Sequence, residues 1–161
     1  MIKAGDRLPE ATLLHMGEDG PEQIELGSRI AGKRVVVIGM PGAFTTTCSR
    51  LHLPSFIRTA DQFREKGIDE IICVTVNDIF VVDEWDNQMG GSQAGITMMA
   101  DWNGDFAKAL GLAFTAPPVG FLDRMQRFAM IVNDGEVEAL NMETERGVCD
   151  RTAGETLLEA V

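Results

Sequence analysis

The chain has 161 residues, enough for one domain with a single sizeable core. With 45% hydrophobic and 24% charged residues the composition is that of an ordinary soluble globular protein, and no apolar run approaches the roughly 18–20 residues that span a bilayer. A net charge of -11 argues against nucleic acid or an anionic membrane surface as partner, since either would repel it.

The first elements read as a β-hairpin, with ATLLHM and QIEL as short strands around the turn-rich GEDGP. Ser28 is placed to cap one helical turn before Gly32. VVVIG, Val35 to Gly39, is a continuous β-branched run bounded by glycine and proline, as expected of a strand buried on both faces. The loop MPGAFT leads into a helix with Cys48 in its first turn, and Pro54 is expected to kink that helix. Beyond it, SFIRTADQFREKG sets Phe56, Ala60 and Phe63 at helical spacing and stops at Gly67. EIICVTV is a second buried strand, with Cys73 inside it.

After Asn77 and Asp78, residues Ile79 to Met89 read as a helix, ITMMA as a strand and FAKALGL as a short helix ending at Gly111. MQRFAMIVN and EVEALNME alternate apolar and polar residues around Asn133-Asp134-Gly135, the clearest hairpin signal in the chain. TAGETLLEAV places Thr152 and Glu155 in capping-box spacing at the start of a closing amphipathic helix. The order β-β-β-α-β-α-β-α-β-β-α implies an α/β fold, a central mixed sheet with helices on both faces. There is no internal repeat or linker, so residues 1–161 are expected to form one domain.

The opening MIKAGDRLPE lacks an apolar h-region, so no secretory signal is expected and the cytoplasm is the default location. Cys48, Cys73 and Cys149 are an odd count without CxxC spacing, and neither His15 nor His52 stands at ligand-like spacing from them. That describes neither a disulfide framework nor a metal site, and no organic cofactor is signalled. In a reducing compartment all three are expected to be free thiols.

Cys48 is the one in a setting that carries chemistry. The first turn of a helix presents unpaired N–H groups and the positive end of the dipole, which favour a thiolate over a thiol. Cysteine is also among the most buried residue types, so position alone leaves a structural reading open. Thr45 stands three residues before, able to turn its hydroxyl toward the sulfur or a substrate oxygen, and Pro41 and Gly42 shape the loop.

The pattern Pro41-x-x-x-Thr45-x-x-Cys48 resembles the active-site motif of peroxiredoxins, and the longer PGAFTTTCSRLHLPSF resembles their type II, or peroxiredoxin-five, subfamily. The likeness continues through CVTVNDIFVVDEW, MMADWNGDFAKALGL and RMQRFAMIVNDGEVEALN, covering nearly the whole chain in order. It implies a thioredoxin-like fold and a peroxidase that reduces hydrogen peroxide and organic hydroperoxides. On these positions Cys48 matches the peroxidatic cysteine, Thr45 the threonine that bonds the peroxide, Pro41 the shielding proline and Arg127 the active-site arginine. Arg124 either supports the site or forms a surface ion pair. His52 lies one turn beyond Cys48 and reads as a packing residue rather than a general base. Phe44, Ile79, Phe80 and Phe121 are candidates for an apolar patch that in relatives forms a homodimer interface and lines the substrate pocket; core packing is the alternative.

Two features depart from the pattern or leave it open. Thr46 stands where relatives carry proline, costing some rigidity at the helix start but no reactive group. The oxidised cysteine could be resolved by Cys149, by Cys73, or by an external thiol such as glutaredoxin, glutathione or thioredoxin. A non-catalytic redox sensor or relay on the same fold is a separate reading. A thiol–disulfide oxidoreductase is disfavoured by the missing CxxC.

Overall fold

A computed structural model describes residues 1–161. The elements are β1 (Thr12–Gly17), β2 (Gly20–Glu25), α1 (Leu26–Ile30), β3 (Arg34–Met40), α2 (Leu53–Glu65), β4 (Glu70–Thr75), α3 (Ile79–Met89), β5 (Ile96–Ala100), α4 (Asp105–Leu110), β6 (Ala113–Ala116), β7 (Phe121–Met125), β8 (Phe128–Asn133), β9 (Glu136–Met142) and α5 (Gly154–Leu158). Seven strands form one sheet in the order β2-β1-β5-β4-β3-β8-β9, and β6 and β7 pair separately. β3 runs parallel to β4, and β4 to β5, whereas β8 lies antiparallel to β3.

The residues of β3 explain its central place. Val36, Ile38 and Met40 point into a core shared with Phe56 and Phe63 of α2, Val82 and Trp85 of α3 and Leu157 of α5. Val35 and Val37 point the other way, into a core with Leu26 and Ile30 of α1 and Phe106 and Leu110 of α4. A strand covered on both faces has no polar side, which is why its sequence is an unbroken apolar run. Gly39 is required where it stands: a Cβ there would run into the Phe128 ring and the Met125 sulfur.

Several sequence expectations are corrected. MQRFAMIVN is not one strand: Met125 ends β7 and Phe128 opens β8, so Gln126 and Arg127 sit in the break between two sheets. Ser28 lies inside α1, whose N-cap is Glu25. The capping box at α5 does not form. Thr152 gives its N–H and hydroxyl to Glu143, Arg58 takes Glu155, and Ala153 holds the cap position. Ile79 is packed in the core and does not join a surface patch.

Candidate active site

At the end of β3 the chain turns through Pro41–Thr45 and enters a helix. Ser49 N–H bonds the Thr45 carbonyl (3.0 Å), and Cys48–His52 forms a π-turn in which Leu53 N–H reaches back to the Cys48 carbonyl. Pro54 follows immediately, inside the first turn of α2. It has no N–H to offer the Arg50 carbonyl and its ring crowds that oxygen, so the turn ahead of it widens where a simple kink was expected. Cys48 is buried, 1% exposed, within the core cluster under α2 and α3.

The loop before it is braced from three directions. Asn77 Oδ1 accepts the Ala43 N–H (2.9 Å), and Arg124 Nη1 donates to the Pro41 carbonyl (3.0 Å). Arg124 also stacks on Phe121 (4.8 Å to the ring centre), so it supports the site and makes no ion pair. Gly42 lets it in: a Cβ at that position would occupy the space of the Arg124 guanidinium. Thr45 Oγ1 donates to the Gly42 carbonyl (2.7 Å). A carbonyl only accepts, so the single hydroxyl proton is committed and Thr45 offers its lone pairs, not a donor, to anything above Cys48. Phe44 sits at φ 63, a left-handed conformation costing a bulky residue about 1–2 kcal/mol, and holds its ring half exposed.

Arg127 enters from the break between β7 and β8. Its Nη2 donates to Cys48 Sγ (3.3 Å) and its Nη1 to His52 Nδ1 (3.0 Å). The side chain is 8% exposed, and none of the ion pairs in the chain includes it. A buried cation normally has a carboxylate partner. Here the sulfur is the group in contact that can carry the opposite charge.

His52 is fully buried beside the Phe56 ring. Because a guanidinium only donates, Nδ1 must hold a lone pair and the proton must sit on Nε2. Nε2 has no partner within hydrogen-bond distance; the Thr152 backbone bears on it from farther away. Leaving that donor unsatisfied costs about 1–3 kcal/mol. Burial first, and then the charge of Arg127, hold the imidazole well below its ordinary pKa of 6.5.

The other cysteines differ from each other. Cys73, in β4, is wholly buried; burial, then the charges of Cys48 and Asp86, push its thiol far up. Cys149 is half-buried in the loop before α5. Burial raises its thiol too; the charge of Arg127 opposes the rise and that of Glu143 adds to it. Thr152 Oγ1 lies 3.8 Å from Cys149 Sγ but 2.7 Å from Glu143 Oε1, and its one proton goes to the carboxylate. The loop is tied to the helix start by Thr47 Oγ1, which donates to the Gly147 carbonyl (3.0 Å).

The fold thus gathers Cys48, Thr45, Pro41, Arg124, Arg127 and His52. Of the aromatic candidates, Phe44 and Phe80 are exposed, and Phe121 is half-buried under Arg124. Sequence reasoning missed Asn77, Glu143 as the clasp of the Cys149 loop, and Ser49, whose hydroxyl accepts from the buried Trp85 indole (3.0 Å). Asn77 alone left a local trace, at the end of a buried strand.

The family described as Redoxin matches residues 3–158. The chain is 37% identical to peroxiredoxin-2E, chloroplastic, of Arabidopsis thaliana over 99% of its length and 69% of that protein's. It is 38% identical to peroxiredoxin-2C of Oryza sativa subsp. japonica over 99% and 98%. Among solved structures, reduced Prx3 of Vibrio vulnificus in complex with H2O2 is 41% identical, covers 99% of both chains and superposes with a TM-score of 0.93. Peroxiredoxin 5 from Alvinella pompejana is 25% identical, over 99% and 97%, with a TM-score of 0.85. By family, relatives and fold, this chain belongs to the Redoxin family as a peroxiredoxin, a thiol-dependent peroxidase of thioredoxin-like fold that takes a hydroperoxide and a thiol reductant.

Proposed function

We propose that Cys48 is the nucleophile of this peroxidase and that Arg127, Thr45 and Pro41 form the rest of its peroxide site. The observation that carries this reading is the buried Arg127 guanidinium, without a carboxylate and 3.3 Å from the sulfur. The Cys48 thiolate attacks one peroxide oxygen; the S–O bond forms as the O–O bond breaks. The leaving oxygen takes a proton and departs as water or an alcohol, leaving a sulfenic acid. Arg127 opposes the charge that grows on the oxygens, and the Thr45 lone pairs accept the peroxide O–H. Hydrogen peroxide, bound in the Vibrio relative, is the substrate we assign to this site.

The sulfenic acid is reduced by an external thiol, glutathione, glutaredoxin or thioredoxin, which makes water and a mixed disulfide that a second thiol releases. Two observations favour this over Cys149: its thiol is pushed up by burial, and the Thr152 proton that could activate it is taken by Glu143. The second reading, resolution by Cys149, rests on the Thr47–Gly147 bond that keeps its loop beside Cys48. Three free thiols and the need for a thiol supply fit a reducing compartment such as the cytoplasm. Asn77 holds the Phe44 loop against the start of α3, where Phe80 is exposed, and this apolar patch is the face of a homodimer.

Cys48→Ser is expected to abolish peroxide consumption, and Arg127→Gln to slow it by about 10²–10³. A Cys48→Ser chain that still turns over would refute the assignment. Peptide mass spectrometry after one equivalent of peroxide separates the routes: a Cys48–Cys149 disulfide in wild type replaces the external thiol. Sedimentation of Phe80→Asp tests the dimer, which should dissociate.

A further inference from the structure

We propose that His52 is a positioning residue of this peroxidase: its Nδ1 lone pair fixes Arg127 against Cys48 while leaving the guanidinium charge undivided. The inference rests on the reading of Cys48 and Arg127 above and adds a residue to it. The bond from Arg127 Nη1 to His52 Nδ1 is 3.0 Å, and the neighbouring Nη2 reaches the sulfur. A planar guanidinium held at one nitrogen has its fork oriented at the next, so the acceptor sets the direction of the donor that serves Cys48.

Chemistry narrows what such an acceptor can be. A carboxylate would hold Arg127 more tightly, but it would also pair its charge and leave less for a thiolate or a developing alkoxide. An apolar residue would leave the Nη1 donor buried and unpaired, free to draw the fork away from the sulfur. A neutral imidazole meets both conditions. Nε2 has no partner within hydrogen-bond distance, so the one short hydrogen bond of the ring is the one that Nδ1 accepts from Arg127. The ring is itself anchored through the backbone. Ser55 donates its hydroxyl to the His52 carbonyl (2.7 Å) and accepts the Gly154 N–H (2.9 Å), pinning this turn to α5.

The test is a set of substitutions that separate the acceptor from the volume. Asparagine places its carbonyl oxygen near the position of Nδ1, glutamine near that of Nε2, and leucine supplies neither. His52→Asn, His52→Gln and His52→Leu are each made in wild type and in Arg127→Gln, and the second-order rate of Cys48 with hydrogen peroxide is read by stopped flow beside a thermal melt. His52→Asn should stay within about threefold of wild type. His52→Leu and His52→Gln should fall about tenfold, or about 1.4 kcal/mol in the barrier. In Arg127→Gln neither should cost more than about twofold, because the group they position is gone. Equal losses in all three variants, or the same loss with and without Arg127, overturn the proposal and leave His52 a packing residue. If His52→Leu does not fold, the asparagine–glutamine pair decides alone. An Arg127→Gln chain with the wild-type rate overturns instead the Arg127 assignment beneath it.

Discussion

A buried neutral histidine ties stability to pH, and His52 allows the size of the effect to be worked out. The unfolded chain takes up a proton near the ordinary histidine value of 6.5, whereas the folded chain resists it because burial and Arg127 hold the folded value well below that. Over that interval the unfolded state binds more protons, so stability falls as pH falls and is full only above the unfolded value. Between about pH 7.5 and about pH 5.5 one such group costs on the order of 1 kcal/mol, or a few °C in Tm for a domain of this size. The assay is urea unfolding of wild type and His52→Asn at both pH values. Groups common to both chains cancel, including Asp101, whose carboxyl burial pushes up. Wild type should lose on the order of 1 kcal/mol more than the variant on acidification. Equal losses would show that His52 takes up its proton in the folded protein as readily as in the unfolded chain, which a lone pair committed to Arg127 forbids.

Three further outcomes follow from the site. Thr46→Pro puts a preset φ at the first helical position, where the N–H lies outside the ladder, and should raise stability by about 0.5–1 kcal/mol without slowing peroxide reduction; a lower Tm in calorimetry would contradict it. Gly42→Ala drives a Cβ into the Arg124 guanidinium and frees the Pro41 carbonyl. It should cost about 1–3 kcal/mol in urea unfolding and reduce the peroxide rate, and a neutral result would remove Arg124 from the supporting frame. Glu143 Oε1 takes the Asp150 N–H (2.8 Å), the Thr152 N–H (2.8 Å) and the Thr152 hydroxyl (2.7 Å). Glu143→Gln should therefore loosen the loop and raise the alkylation rate of Cys149 several-fold by mass spectrometry, with Cys73 unchanged.

What the sequence determined by itself is what neighbouring residues decide among themselves. The β-branched run at Val35 could only be a strand with both faces covered, and α3 spans Ile79–Met89 as its spacing required. Asp134 and Gly135 both take positive φ, as the turn between β8 and β9 demands. The loop of Pro41 and Gly42 set Cys48 at a helix start, and the motif there carried the resemblance to peroxiredoxins. Tertiary structure decided the rest, because the partners come from far along the chain. Arg127 meets Cys48 across 79 residues, and only the break between β7 and β8 sends it there. The capping-box residues Thr152 and Glu155 had a plausible local bond, yet Glu143 and Arg58 outcompeted it. For His52 the local pattern offers a polar side chain one turn past Cys48 and no more. Its partner and its tautomer follow from a guanidinium brought in by another part of the fold, and its neutrality from burial first and then from that charge.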